Sequence, residues 1–260
     1  VKIYKENNNY KNLNKILKKN YFHIFFLGGQ SSVVKSFDNL EIETFDASIT
    51  PLKIILEFIR NQKLKKTKLM FAASSEMYGD HKKKKINENS PKKPISPYGL
   101  SKYIGYEIVK SYREMFDLPV YSIIFFNHES FLRGNEFVFK KISNFLKNKK
   151  YKKMEKLELG NLNVVRDWGW APEYMRIVSK IMLRNKIEDY IVATGKSTTL
   201  KKVIKLFFSK YNLNYSDHIQ INKKNFRKME VKENYANISK IKKNFNIKPI
   251  YTYKNLVDLI

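Results

Sequence analysis

The chain has 260 residues and a mass of 31.0 kDa, and its 43% hydrophobic and 14% aromatic residues, spread throughout, exclude wholesale disorder. The net charge of +27 invites a nucleic-acid reading, but lysines recur in nearly every segment (Lys18-Lys19, Lys82 to Lys85, Lys149-Lys150, Lys223-Lys224) as coding bias would scatter them, so no nucleic-acid partner is expected. Cysteine is absent and the four histidines are dispersed, which excludes disulfides and thiol chemistry and leaves no metal site expected.

In chain order, Val1 to Tyr4 is a short β-like start, and Tyr10 to Lys19 carries Leu13, Ile16 and Leu17 at helical spacing. Tyr21 to Leu27 (YFHIFFL) reads as a buried strand running into Gly28-Gly29. Pro51 to Ile59 reads as an amphipathic helix, Lys68 to Ala73 as a second buried strand, Tyr98 to Phe116 as a long helix and Pro119 to Phe126 as a third strand. Beyond Asn127 the elements shorten: helices at 136–148, 172–183, 200–211, 238–245 and 255–260, and strands at 157–159 and 190–193. Alternating strands and helices imply a doubly wound α/β sheet. The expected division is 1–127 and 128–260, with the chain crossing back to the first part. No apolar run approaches the roughly 20 residues of a membrane span, and VKIYKENNNY lacks a signal-peptide core. A cytoplasmic protein with no membrane partner is expected.

Four constellations can carry chemistry. Ser74-Ser75-Glu76 follows a buried strand, where ligands of open α/β sheets bind; alternate strand residues share a face, so Ser74 and Glu76 can point into one cleft. Taken alone it is also an ordinary turn. Tyr98 and Lys102 in SPYGLSK share a helix face, and an ammonium beside a phenol favours the phenolate, lowering a pKa that starts near ~10. Pro97 sets the start of that helix. Asn127-His128-Glu129-Ser130 with Arg133-Gly134 again follows a strand, and His128 there is as readily a structural hydrogen-bonder. Arg166-Asp167-Trp168-Gly169-Trp170 offers an arginine suited to phosphate or to pairing with Asp167, with the two tryptophans read as packing groups.

In this order and spacing the segments resemble the extended short-chain dehydrogenase/reductases and, among them, the GDP-mannose 4,6-dehydratase family. The resemblance rests on LGGQSSVVKSF, AASSEMYGD, INENSPKKPISPYGLSK, FFNHESFLRGNEFVFKKI, LELGNLNVVRDWGWAPEYM, YIVATGKSTTL and FRKMEV. It implies a Rossmann-like parallel sheet with a smaller C-terminal α/β substrate domain. It assigns Ser74, Glu76, Tyr98 and Lys102 as catalytic. Glu6, Asn7, Leu27, Gly28, Gly29, Gln30, Ser31, His128 and Arg133 fall at cofactor positions together with Tyr98 and Lys102. Ser75, Asn127, Lys141, Arg166, Arg227 and Glu230 fall on the nucleotide-sugar side. The implied cofactor is NADP, with NAD as the alternative; the substrate is a nucleoside-diphosphate hexose, GDP-mannose first; the assembly is a dimer or tetramer. The implied reaction moves a hydride from sugar C4 to the cofactor and back to C6, with loss of water between.

The chain departs from the family pattern at its start. No G-x-x-G-x-x-G loop is present, the alignment begins near the third strand with Glu6-Asn7 in place of Asp-Leu, and about 60 residues at ~30 per βα unit, the central strand among them, are missing. The first residue is Val, and the chain is expected to be a fragment. Gly28-Gly29 replaces Ala-Ala, Ser32 a His, Phe131 a Pro and Lys228 a Pro. A nucleotide-sugar 4-epimerase, which needs no acid at Glu76, and a truncated non-catalytic remnant are the rival readings.

Overall fold

The structure, a computed structural model, describes residues 10–17, 21–37, 41–82 and 84–260. Glu6, Asn7 and the expected strand at Val1 to Tyr4 lie outside these. In chain order the elements are α1 (Tyr10–Leu17), β1 (His23–Phe26), α2 (Glu41–Asn61), β2 (Lys68–Ser74), β3 (Lys85–Ile86), α3 (Pro97–Phe116), β4 (Val120–Phe125) and β5 (Asn127–Glu129). They continue with α4 (Val138–Lys147), β6 (Leu157–Leu159), β7 (Val165–Trp170), α5 (Ala171–Met182), β8 (Tyr190–Val192), β9 (Ser197–Thr199), α6 (Leu200–Ser209), β10 (Ile219–Ile221), β11 (Tyr235–Ala236), α7 (Ser239–Phe245) and α8 (Tyr253–Leu259).

The chain forms two compact units, each assembled from three segments. The first comprises 1–79, 90–125 and 179–190, the second 80–89, 126–178 and 191–260. A four-stranded sheet runs in the order β1-β2-β4-β8, with β1 parallel to β2 and β2 parallel to β4. All six residues of β4 are buried, the pattern of a parallel strand covered on both faces. Leu52, Leu56 and Ile59 of α2, Val109 of α3 and Leu69, Met70 and Phe71 of β2 form the core of this unit with no residual exposure. Register pairs Ser74 with Phe125, so Ser74 stands at the carboxyl end of the sheet, where α/β folds place their ligands.

The second unit holds β5-β7-β9, with β5 parallel and β9 antiparallel to β7, and two parallel pairs, β6 with β10 and β3 with β11. Its core gathers Phe139, Ile142 and Phe145 of α4 with Val203, Ile204, Phe207 and Phe208 of α6 and Leu256 of α8.

The start of α2 differs from the sequence expectation. Pro51 signals a helix beginning, yet it sits ten residues inside a 21-residue helix. Burial of Thr44, Ser48, Leu52, Leu56 and Ile59, a stripe at three- and four-residue spacing, holds the helix through the proline.

Candidate active site

In the first unit, Ser74 ends β2 in extended backbone (φ −139°, ψ 147°) and caps a 3-10 turn over Ser75–Tyr78. Its Oγ accepts a hydrogen bond from the Glu76 N–H at 3.3 Å. The shared strand face expected for Ser74 and Glu76 does not form, because the chain leaves the extended conformation at Ser75 and the turn carries Glu76. Ser75 and Glu76 are both buried. Gly79 closes the turn at φ 70°, ψ −151°.

Helix α3 opens with Ser96 as its N-cap and Pro97 in its first turn, the Ser96 Oγ accepting from Gly99 N–H at 3.0 Å. A methyl group on Gly99 would lie 2.7 Å from the Glu76 carbonyl oxygen. The first turn of α3, which carries Tyr98, therefore abuts the turn that carries Glu76. One helical turn on, Lys102 is buried, with Nζ 5.8 Å from the Tyr98 ring centroid and 5.3 Å from that of Phe71. Burial among these rings pushes its ammonium down from 10.5 to about 8. Beyond β1, Leu27, Gly28, Gly29 and Ser31 are exposed. Gln30 turns inward, its Nε2 donating to Ser32 O at 2.7 Å and Thr44 Oγ1 at 3.4 Å. Gly29 adopts φ 131°, and a methyl there would come within 3.6 Å of Lys102 Nζ.

The turn that carries Glu76, the helix start that carries Tyr98 and the buried Lys102 thus lie together at the carboxyl end of a parallel sheet. The sequence model of the family described as "GDP-mannose 4,6 dehydratase" matches residues 3–260. The chain belongs to the GDP-mannose 4,6-dehydratase family. GDP-mannose 4,6 dehydratase 1 of Arabidopsis thaliana is 35% identical over 240 residues, 91% of this chain and 66% of the relative. The Drosophila melanogaster GDP-mannose 4,6 dehydratase is 32% identical over 90% of this chain and 64% of its own length. The chain thus spans just under two thirds of these relatives. The crystal structure of dTDP-glucose 4,6-dehydratase from Bacillus anthracis in complex with NAD superposes with a TM-score of 0.82 at 21% identity, over 96% of this chain and 75% of that one. At that identity the likeness is one of fold, the Rossmann-like α/β sheet.

In the second unit of this dehydratase-family chain, Asn127, His128 and Glu129 form β5. His128 Nδ1 lies 2.9 Å from Phe126 O, which fixes the proton on Nδ1 and leaves Nε2 as the acceptor of the neutral ring. Burial, eased by that carbonyl, holds the imidazole below its usual range. Glu129 is buried and pairs with Arg133 at 3.4 Å; burial raises its carboxyl to about 7 against the pull of Arg133. The Arg133 guanidinium lies 3.4 Å over the Phe137 ring. Glu230 stands between Arg166 at 3.9 Å and Arg227 at 3.6 Å, with Arg166 almost wholly buried. Lys141 is exposed on α4.

Pairing of Arg166 with Asp167, left open by the sequence, is not what forms. Asp167 instead accepts from Thr194 N–H at 2.9 Å, the Thr194 hydroxyl at 2.6 Å and Gly195 N–H at 2.7 Å. Alternation along β7 sends neighbouring side chains to opposite faces. Trp168 packs against Phe139 at 5.5 Å and Trp170 against Phe131 at 6.3 Å, as packing groups. The sequence offers Asp167 no partner besides Arg166, and it marks no role for Glu129. Thr194 lies 27 positions from Asp167, and no local pattern links them.

Proposed function

We propose that this chain dehydrates GDP-mannose to GDP-4-keto-6-deoxymannose, with NADP as the bound nicotinamide and NAD as the alternative. The observation that carries this reading is the contact of the Glu76 turn with the first turn of α3. That contact brings the backbone of Glu76 next to the helix start bearing Tyr98, which supports a role for its acid beside the Tyr98–Lys102 pair; an epimerase does not need that acid. The chain's membership of the dehydratase family supports the same choice.

The residues present fit the sugar end of a dinucleotide. Gly28 and Gly29 offer side-chain-free backbone, and Gly29 lies next to the Lys102 ammonium, where a Cβ would fill the space. Leu27, Gln30 and Ser31 extend that loop, and His128 and Arg133 are proposed to complete the hold on the cofactor. When bound, the nicotinamide accepts a hydride from sugar C4 and returns one to C6. Tyr98, beside the positive charge of Lys102, takes the proton of the sugar 4-hydroxyl, with Ser74 as its hydrogen-bonding partner. Glu76 removes the C5 proton, which the neighbouring ketone acidifies, and passes it to the departing 6-hydroxyl as water leaves.

Ser75, Asn127, Lys141, Arg166, Arg227 and Glu230 are proposed to hold the nucleotide sugar, with the arginines matched to its diphosphate. The first unit is read as the cofactor domain and the second as mainly the substrate domain, close to the division at 127. A dimer or tetramer in the cytoplasm belongs to the same reading. Among the described residues no helix is long and apolar enough to cross a membrane, and no group of three or more acidic or histidine side chains is placed to hold a metal.

The test is GDP-mannose deuterated at C4, incubated with the 260-residue chain and NADP⁺. The expected product has lost one water and carries the deuterium at C6; Glu76→Gln lowers its formation by about 10²–10⁴-fold. An epimerised GDP-hexose without the keto sugar, or no product at all, overturns the proposal.

A further inference from the structure

Lys102 is held from a side that no sequence motif marks. Ser48, one turn after Thr44 on α2, has no residual exposure, and its Oγ has no hydrogen-bond partner among the described residues. An orphaned buried hydroxyl carries a desolvation cost of about 1–3 kcal/mol, so its position calls for a partner. The glycine beside it shows where that partner lies. A methyl on Gly29 would meet Ser48 Oγ at 2.6 Å and Lys102 Nζ at 3.6 Å, which puts both polar groups on the same side of Gly29. The Ala-Ala of the family pattern is Gly28-Gly29 here, so this chain carries no side chain between hydroxyl and amine. The loop is docked on the same face of α2 through Gln30, whose amide reaches Thr44 Oγ1 at 3.4 Å.

We propose that Ser48 is a positioning residue for Lys102: across the gap at Gly29 its hydroxyl is linked to the ammonium through one bridging water, which accepts from Nζ and donates to Oγ, and so holds the amine over Tyr98. The groups facing Nζ are the Phe71 ring from β2, Tyr98 from α3 itself, Gly29 from the loop after β1 and Ser48 from α2. Of these Tyr98 is the titratable one. The ring faces attract the cation without fixing its direction; a hydroxyl supplies that direction. A single buried acceptor favours the charged form and opposes the desolvation that lowers the Lys102 titration.

The idea builds on the reading of Lys102 as the amine that serves Tyr98, but its test needs no turnover, so the two fail separately. Competitive acylation of the 260-residue chain over roughly pH 6 to 11, resolved by peptide mass spectrometry, gives the titration midpoint of Lys102. Loss of the acceptor in Ser48→Ala is expected to move that midpoint down by about one unit. The midpoint of Lys68, whose Nζ donates to the Met182 and Arg184 carbonyls at 3.0 and 2.6 Å, stays in place. Ser48→Thr, which keeps the hydroxyl, restores the Lys102 value. An unchanged midpoint in Ser48→Ala overturns the proposal by itself, as does an equal fall in the folded threonine variant.

Discussion

Gly79 closes the turn that carries Glu76, and its replacement by alanine tests whether that turn is held by backbone geometry. The residue sits at φ 70°, ψ −151°, a region that only glycine occupies without strain; forcing a Cβ into it costs about 1–3 kcal/mol. The new methyl would also stand 2.1 Å from the Lys93 carbonyl oxygen and 3.1 Å from its carbon. Both are backbone atoms that no rotamer change can clear. Relief needs a shift of about 1 Å in the loop ahead of α3 or in the turn, and such overpacking costs about 1–3 kcal/mol more. Together the loss is on the order of 2–6 kcal/mol, which for a chain of this size lowers the melting temperature by roughly 10 °C. A displacement of about 1 Å between an acid and its partner groups costs on the order of 100-fold in rate, so turnover falls further than stability explains at temperatures where the variant is folded. Circular dichroism melts of both chains, with product formation measured well below the lower midpoint, read the two effects apart. A Gly79→Ala chain that melts with the native one and turns over normally would refute the account of the turn.

Three further outcomes follow from buried charges. Because Lys102 titrates near 8 in the folded chain against 10.5 outside it, the unfolded chain binds the extra proton between those values and stability rises with pH there. Lys102→Met should stabilise the chain by about 3 kcal/mol at pH 7, a gain that fades towards pH 10 in urea titrations while activity is lost. Glu129, raised from 4.5 to about 7, has the opposite sense: the folded chain holds the extra proton between those values, so stability falls as pH rises through them. Glu129→Gln should therefore be stabilising by about 2–3 kcal/mol at pH 8 and neutral near pH 4. Asp189 receives both Arg113 nitrogens and the Ser122 N–H, each at 2.8 Å. Asp189→Ala strands Arg113 Nη2 and the Ser122 N–H, leaves the guanidinium its bond to Val120 O at 3.1 Å, and should cost about 3–5 kcal/mol in denaturant unfolding.

The parts of the fold written in local pattern were legible. The mainly apolar runs of β2 and β4 and the Ser96-Pro97 start of α3 appear in the sequence much as they stand in the structure, and so does the Tyr98–Lys102 spacing. The position of Glu76 was legible; its presentation was not, because a strand and a 3-10 turn differ over two residues by a hydrogen bond from Ser74 that periodicity does not record. Pro51 misled for a physical reason: a packed stripe outweighs one lost backbone bond. Strands of two or three residues, β3, β5, β9 and β11, are too short to show alternation. Ser48 and Asp189 were invisible because what they meet, Lys102 and Arg113, lies far along the chain and burial alone pairs them.

The threading of the chain through its two units sets an order of events during synthesis. Arg113 is made 76 residues before the aspartate that neutralises it, and at about 5–20 residues per second it waits roughly 4–15 s on the ribosome. During that interval β4 lacks the acceptor for its Ser122 amide, and the first unit cannot complete itself until a large part of the second has been made. The unit bearing Tyr98 and Lys102 thus closes only once residue 189 is made, so a stop codon placed between 102 and 189 should leave Ser74, Glu76, Tyr98 and Lys102 translated without the aspartate that neutralises Arg113.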